Sequence, residues 1–328
     1  MSELDAVVIG SGPNGLAAAV SLAQRGAKVL VLEGKGSVGG GLRTAELTLP
    51  GFHHDVCSAV HPMGILSPYL RALPLEQHGL RWLSSGVSVA HPLDDGPAVL
   101  LQRSLEETAA QLGGDAAAYR KLIAPFLDDP HGLLEDALAP LRLPRHPLQM
   151  LRFGLLGLRS ARGLARRFDG TAARALLAGC ASHTILPFDR SFTAAITLLF
   201  LISGHVEPWP VAAGGSAAIA SALTSLFTSL GGRVETGRMI GALAELPPAR
   251  VYLFDTSPAR FAELAEPVLP ARYVRRLRRY TSGPGAFKLD WALAGSIPWR
   301  DPRCRTASTV HLGGTFEEIA AAEAAVWR

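Results

Sequence analysis

Three glycines and one carboxylate close to the N-terminus have the types and spacing of a site for a phosphate and a sugar. Gly10, Gly12 and Gly15 form a Gly-x-Gly-x-x-Gly turn directly after the apolar run Ala6-Val-Val-Ile, and Glu33 closes a second run, Val29-Leu-Val-Leu. Each glycine answers a separate need. Gly10 allows a tight exit from a strand, Gly12 lets backbone N–H groups approach a diphosphate, and Gly15 lets a helix pack close to the sheet. Pro13 and Asn14 open that helix, whose amino end offers roughly half a positive charge to an anion. Glu33 can accept hydrogen bonds from both ribose hydroxyls and would repel a 2′-phosphate, which favours FAD or NAD over NADP. A glycine turn alone is common. Strand, helix and acid in register predict a βαβ unit of a Rossmann-type α/β domain that binds a dinucleotide.

A second glycine cluster follows the acid: Gly34, Lys35, then Gly39, Gly40, Gly41 and Leu42, with Arg43 next. A simple nicotinamide dehydrogenase leaves its second strand into an ordinary crossover and has no use for another close backbone approach. A longer cofactor does, because its diphosphate and ribityl chain run past this loop. FAD is therefore the expected cofactor. The alternative is a flexible glycine loop carrying two solvated cations.

The paired motifs resemble the large group of FAD-dependent oxidoreductases that includes amine oxidases and phytoene desaturases. Within it the chain is most similar to the phytoene desaturase-like branch of NAD(P)/FAD-dependent oxidoreductases, that of pyridine nucleotide-disulfide oxidoreductase domain-containing protein 2. The stretches that carry the resemblance are Pro50-Gly-Phe-His-His-Asp55-Val-Cys-Ser-Ala-Val-His61-Pro, Trp209-Pro-Val-Ala-Ala-Gly214-Gly215, Gly283-Pro-Gly-Ala-Phe-Lys288-Leu-Asp290-Trp-Ala-Leu, and Thr309-Val-His311-Leu-Gly-Gly-Thr-Phe-Glu-Glu318. They span nearly the whole chain in order. Gly41 departs from the arginine or alanine that many relatives of the wider group carry, which puts one cofactor contact in doubt. The resemblance implies a glutathione reductase-like FAD-binding domain with a helical cap and the start of a substrate-domain sheet. It also implies backbone contacts to the adenine from a strand around Ile240, and an apolar or amphipathic small-molecule substrate. Relatives continue past Arg328, so the chain is read as a C-terminally truncated fragment, and its retention of FAD is left open.

The elements that would position these residues fall into four segments. Residues 1–74 and 207–282 read as two parts of the FAD-binding domain, 75–206 as a mostly helical cap, and 283–328 as the truncated start of a substrate-domain sheet. Ser104-Leu-Glu-Glu107 and Thr315-Phe-Glu-Glu318 are capping boxes, and Asp115 is placed to cap the helix after it. Gly214-Gly215 reads equally as a flavin contact or as a helix start. From Ala286 to Leu293 the apolar residues Phe287, Leu289, Trp291 and Leu293 alternate, predicting a strand with Lys288 and Asp290 as a solvated pair on its other face.

Composition narrows the class. At 328 residues the chain can bury a large core in two domains. Its net charge is +4, but only Lys28, Lys35, Lys121 and Lys288 of the 32 basic residues are lysines, and no basic-aromatic interleaving occurs. No nucleic-acid partner is expected. Cys57, Cys180 and Cys304 form no Cys-x-x-Cys pair, which argues against a redox-active disulfide and suits a reducing compartment. The first strand begins within four residues, and the longest apolar run, Ala194 to Ile202, is too short to cross a bilayer. The expected location is cytoplasmic, with peripheral membrane contact through 142–167 as an option. There Arg142, Arg145, Arg152, Arg159, Arg162, Arg166 and Arg167 accompany Leu148, Leu151, Leu155 and Leu158 at helical spacing. Such a helix can lie on an anionic membrane, or else pack its leucines into the core and expose only the arginines.

In the expected chemistry a hydride passes from a substrate C–H bond to flavin N5, with the protein supplying orientation and exclusion of water. No catalytic triad, metal-spaced histidine set or close carboxylate pair stands out. His53 and His54 are adjacent in a strand and point to opposite faces, so no metal site is expected. His61 is the candidate for proton transfer, against a purely structural, hydrogen-bonded histidine. The competing class is a non-catalytic flavin- or membrane-associated scaffold that keeps the fold. The full set of glycines with Glu33 favours the enzyme, since a scaffold has no need of a phosphate cradle.

Overall fold

The computed structural model describes residues 4–138 and 142–327. Its strands, in chain order, are β1 Leu4–Ile9, β2 Val29–Leu32, β3 Thr44–Glu46, β4 His53–Asp55, β5 Trp82–Leu83, β6 Val87–His91, β7 Val99–Gln102, β8 Val211–Ala212, β9 Arg233–Glu235, β10 Ala249–Phe254 and β11 Ala307–Val310. β1 from Ala6 onward and the whole of β2 are unbroken apolar runs, as strands covered on both faces must be. They form the centre of a parallel sheet in the order β10-β1-β2-β9. One face packs on helices Pro13–Ala23 and Ala217–Ser229 through Leu16, Val20, Leu223 and Phe227. The other buries Val7, Ile9, Leu30 and Leu32 against Ile240 and Leu264.

Register fixes the site. Ile9 stands opposite Leu32 on one side and Phe254 on the other. The residues that follow these three strands, Gly10, Glu33 and Asp255, therefore emerge together at one edge.

The second core lies among helices Ala116–Ile123, Pro147–Gly157, Thr171–Ser182 and Thr193–Val206, around Phe126, Leu176, Leu198 and Ile202. Segment 75–206, expected to be mostly helical, also carries β6 and β7, which pair antiparallel around the turn at Asp94-Asp95-Gly96. β11 joins them in parallel to β6, and the terminal helix Phe316–Ala325 buries Phe316 and Ile319 in the same core. Helix Thr193–Val206 is buried along its length, and none of the described helices is long and apolar enough to cross a membrane.

Three local expectations are corrected. Residues 286–293 form no strand, and Phe287 is 91% exposed, because alternation defines a strand only when a neighbour takes up its backbone groups. Asp115 does not cap its own helix. Its carboxylate instead accepts the amides of Asp169 and Gly170 (3.0 and 2.7 Å), the second of them at the start of helix Thr171–Ser182. No strand runs through Ile240. The capping box at Thr315 forms in full, with Glu318 returning to the Thr315 amide at 2.8 Å, whereas Ser104 accepts only the Glu107 amide at 3.2 Å.

Candidate functional site: a double glycine cradle

Gly10 leaves β1 with φ +103°, a left-handed conformation that favours glycine, and its amide donates to Leu32 O at 2.8 Å. The helix Pro13–Ala23 then starts from Gly12 with no side-chain cap and no acid in its first turn. Pro13 has no N–H, and the Gly15 amide donates to Asp255 Oδ2 at 2.9 Å. Among the described residues the Gly12 and Asn14 amides have no acceptor, so the positive end of this helix, shared with the Asp255 carboxylate at Gly15, keeps two donors for an anion.

Ser11, fully buried, joins the glycine turn to the acid. Its amide (3.0 Å) and hydroxyl both donate to Glu33 Oε2, and the Lys35 amide donates to Oε1 at 2.8 Å. Burial pushes the Glu33 carboxyl up, but the bonds from Ser11 and Lys35, with Arg43 nearby, outweigh it and hold the group below the usual glutamate range. A carboxylate offers about four lone-pair sites, so Glu33 keeps capacity for a sugar hydroxyl.

The second cluster folds directly onto the first. The Gly39 amide donates to Ser11 O (2.9 Å), and a Cβ on Gly40 would lie 2.9 Å from the Gly12 Cα. Arg43 Nε donates to Gly40 O at 2.9 Å, which sets a guanidinium at the rim, while Leu42 is buried beneath. Gly34 packs under Met239, whose Cε would be 2.6 Å from an added Cβ. Lys35 is exposed, and Gly41 meets Cys57 only at ordinary contact distance. Two backbones that touch without side chains, beside a buried carboxylate with spare lone pairs, fit the diphosphate and ribose of a dinucleotide.

At Ile240 the backbone amide has no acceptor among the described residues. Its side chain is buried under β1 and β2, and its carbonyl accepts Arg260 Nη2 at 2.7 Å, so that oxygen is already engaged.

Beyond the cradle, the β3–β4 hairpin is pinned to helix Ala217–Ser229. Asp55 Oδ1 accepts Thr44 Oγ1 and the Ser216 amide, both at 2.6 Å, and an added Cβ on Gly215 would strike Thr44 Oγ1. Gly214 and Gly215 directly precede Ser216, the cap of this helix. His61 Nε2 lies 2.7 Å from Ser216 Oγ, and burial lowers its pKa although Asp55 opposes the shift. Burial thus favours the neutral ring, and the Ser216 contact holds it in place. His53 and His54 take separate partners, Glu46 and Thr48.

The basic segment also departs from one expectation. Leu148, Leu151, Leu155 and Leu158 do not pack into the core; with Leu143 they are exposed, Leu148 at 83%. Phe153 and Gly157 form the buried side of helix Pro147–Gly157. Arg142, Arg145 and Arg162 pair with Asp136, Glu135 and Asp189. Arg152, Arg159, Arg166 and Arg167 are exposed and form no ion pair among the described residues.

Sequence reasoning missed Ser11 and Asp255. Ser11 could have been found as the hydroxyl between two site glycines. Asp255 shares with Glu33 the signal of an acid closing an apolar run. It also missed three histidines, 91, 183 and 311, that meet from distant parts of the chain.

Residues 8–73 match the NAD(P)-binding Rossmann-like domain family. The chain is homologous to pyridine nucleotide-disulfide oxidoreductase domain-containing protein 2 of Rattus norvegicus, 26% identical over 94% of this chain and 64% of the relative. A limonene dehydrogenase subunit from Castellaniella defragrans is 35% identical over 38% of this chain and 23% of its own length. Among solved structures, putrescine oxidase bound to putrescine shares the fold, with a TM-score of 0.51, 19% identity, and coverage of 84% of this chain and 63% of that one. The chain thus spans under two thirds of the relatives it matches along its length.

Proposed function

We propose that this homologue of pyridine nucleotide-disulfide oxidoreductase domain-containing protein 2 is the dinucleotide-holding part of an FAD-dependent oxidoreductase of the phytoene desaturase or dehydrogenase type, acting on an apolar or amphipathic substrate. The observation that carries this reading is the contact of Gly40 on Gly12 above the Ser11–Glu33 pair. One glycine turn suffices for a nicotinamide dinucleotide, and the second suits a cofactor that continues past the diphosphate. When bound, FAD supplies the hydride acceptor. The chain's own groups bind and orient: the Gly12 and Asn14 amides and Arg43 toward the diphosphate, Glu33 toward the ribose.

The test is titration of the purified chain with FAD and, separately, NADP+, followed by fluorescence quenching. Saturable FAD binding at least tenfold tighter than that of NADP+ supports the reading, since Glu33 disfavours a 2′-phosphate. Equal or tighter NADP+ binding overturns it. Reduction of the bound flavin by an added substrate separates an enzyme from a scaffold that merely retains the fold.

We also propose that 142–167 rests on an anionic lipid surface. Exposed leucines beside four unpaired arginines match a bilayer's apolar interior and its negative headgroups.

A further inference from the structure

We infer that the cavity between His61 and Thr309 binds an uncharged, mainly apolar molecule with one hydroxyl group, and that His183 is the polar anchor for that hydroxyl. The cavity measures about 380 Å³ and includes Ser58, His61, Met63, His183, Phe200 and Trp209 in its walls. That volume lies at the small end of the range for small-molecule sites.

Charge is excluded first. The lining contains no Asp, Glu, Lys or Arg. Asp55, whose charge acts on His61, is committed to Thr44 and Ser216. An ammonium or carboxylate placed here would lose its hydration without a counter-ion.

The walls also carry the hydroxyls of Ser58 and Thr309 and the Nδ1 of His61, while two other polar atoms are engaged within the protein. His61 Nε2 is engaged by Ser216 Oγ at 2.7 Å, and Trp209 Nε1 donates to Ser203 Oγ at 3.0 Å, leaving its ring as an apolar wall. His183 stacks on Phe200 at 4.3 Å and meets Trp209 edge-on at 5.5 Å. It is the ring of the histidine row that lines the cavity; His311 and His91 lie behind it.

The row fixes which nitrogen His183 offers. His91 Nε2 lies 2.8 Å from Gly314 O, and a carbonyl can only accept, so the proton of neutral His91 sits on Nε2 and its Nδ1 is bare. The buried Nδ1 atoms of His91 and His311 have no hydrogen-bond partner among the described residues. Both crowd the space above Gly179, where an added Cβ would lie 3.0 Å from His91 Nδ1 and closer still to His311 Nδ1. Two bare nitrogens facing that one space would repel, so the favoured arrangement puts the His311 proton on Nδ1 and leaves its Nε2 bare. That nitrogen lies 3.1 Å from His183 Nε2, which must then be the donor. His183 is left with an unprotonated Nδ1, an acceptor suited to a ligand O–H. Burial keeps the row neutral, lowering His91 and His183 and driving His311 down to about 3, with His183 and His91 adding to the last shift.

This inference names the substrate class for the redox reading and rests on that reading only in calling the occupant a substrate. The test uses the full chain and isothermal titration calorimetry with 3-phenylpropan-1-ol, its methyl ether, 3-phenylpropylamine and 3-phenylpropanoate. The alcohol is expected to bind about tenfold more tightly than each of the others. His183→Phe, which keeps the stack on Phe200, should bring the alcohol to the level of the ether and leave the ether unchanged. Equal affinity for alcohol and ether, preference for the amine or acid, or no binding of any probe overturns the assignment. The alcohol–ether comparison uses the native chain, so it stands even if the variant fails to fold. FAD titration of the same preparation reports on the redox reading independently.

Discussion

Gly40 sits on Gly12 so closely that a Cβ on Gly40 would lie 2.9 Å from the Gly12 Cα. The two loops that would hold a dinucleotide are thus in contact through backbone alone, and neither position has room for a side chain. Gly40 also has φ +56°, where any other residue pays about 1–2 kcal/mol. Gly40→Ala should therefore lose about 1–3 kcal/mol of stability in denaturant unfolding and weaken FAD binding in the same samples. Gly12→Val, which fills the cradle and meets Asp255 Oδ2, should abolish FAD retention. A yellow Gly12→Val protein would contradict the assignment of this turn.

Glu33 links acidity to stability. Its pKa in the fold is lowered, so the unfolded chain binds its proton more readily. Its contribution is therefore present above the ordinary value of 4.5 and is lost as pH falls through the folded value. Unfolding midpoints measured downward from neutral pH should fall in the native chain, and fall less steeply in Glu33→Gln. Glu33→Ala should weaken FAD binding by about 1.5–3 kcal/mol through lost charge-assisted hydrogen bonds.

How much of this could be read in the chain depends on how local each signal is. β1, the glycine turn, β2 and Glu33 are contiguous, and their apolar runs and spacing specify one another. Ser11 and Asp255 take their roles from sheet register, which places Ile9 between Leu32 and Phe254 and is not written in any short window. The histidines at 91, 183 and 311 come from β6, the end of helix Thr171–Ser182, and the loop after β11, so no spacing rule connects them. Two signals misled. Alternation at 286–293 marks a face but cannot supply the neighbouring strand that would use it. Leucine periodicity in 148–158 identifies residues that share a side of a helix, but not whether that side turns to core or solvent.

Asp255 brings a negative charge into the cradle. Its Oδ2 accepts the Gly15 amide and would lie 2.7 Å from a Cβ on Gly12. Anions are stabilised at a helix N-terminus, so the carboxylate competes there with a diphosphate. Asp255→Asn keeps an oxygen for Gly15 and removes the charge. FAD binding should tighten by about 1 kcal/mol, roughly fivefold, at low salt, and the gain should shrink as salt rises. Weaker binding at every ionic strength would show instead that the charge helps to organise the turn.

The exposed leucines make the lipid-surface proposal separable from a packing role. If Leu151 and Leu155 contributed to the core, replacing both with Ser would cost several kcal/mol; because both are exposed, the thermal midpoint of the double variant should be nearly unchanged. Its pelleting with anionic vesicles should nevertheless drop, since the apolar face that enters the headgroup boundary is gone. Arginines near a negative surface contribute about 1 kcal/mol each. Arg152→Gln with Arg159→Gln should thus reduce vesicle partitioning roughly thirtyfold and flatten its dependence on salt, because the cations that lipid headgroups would pair with are halved in number. Native protein that pellets no better with anionic than with neutral vesicles in low salt removes the lipid surface as the partner of this face.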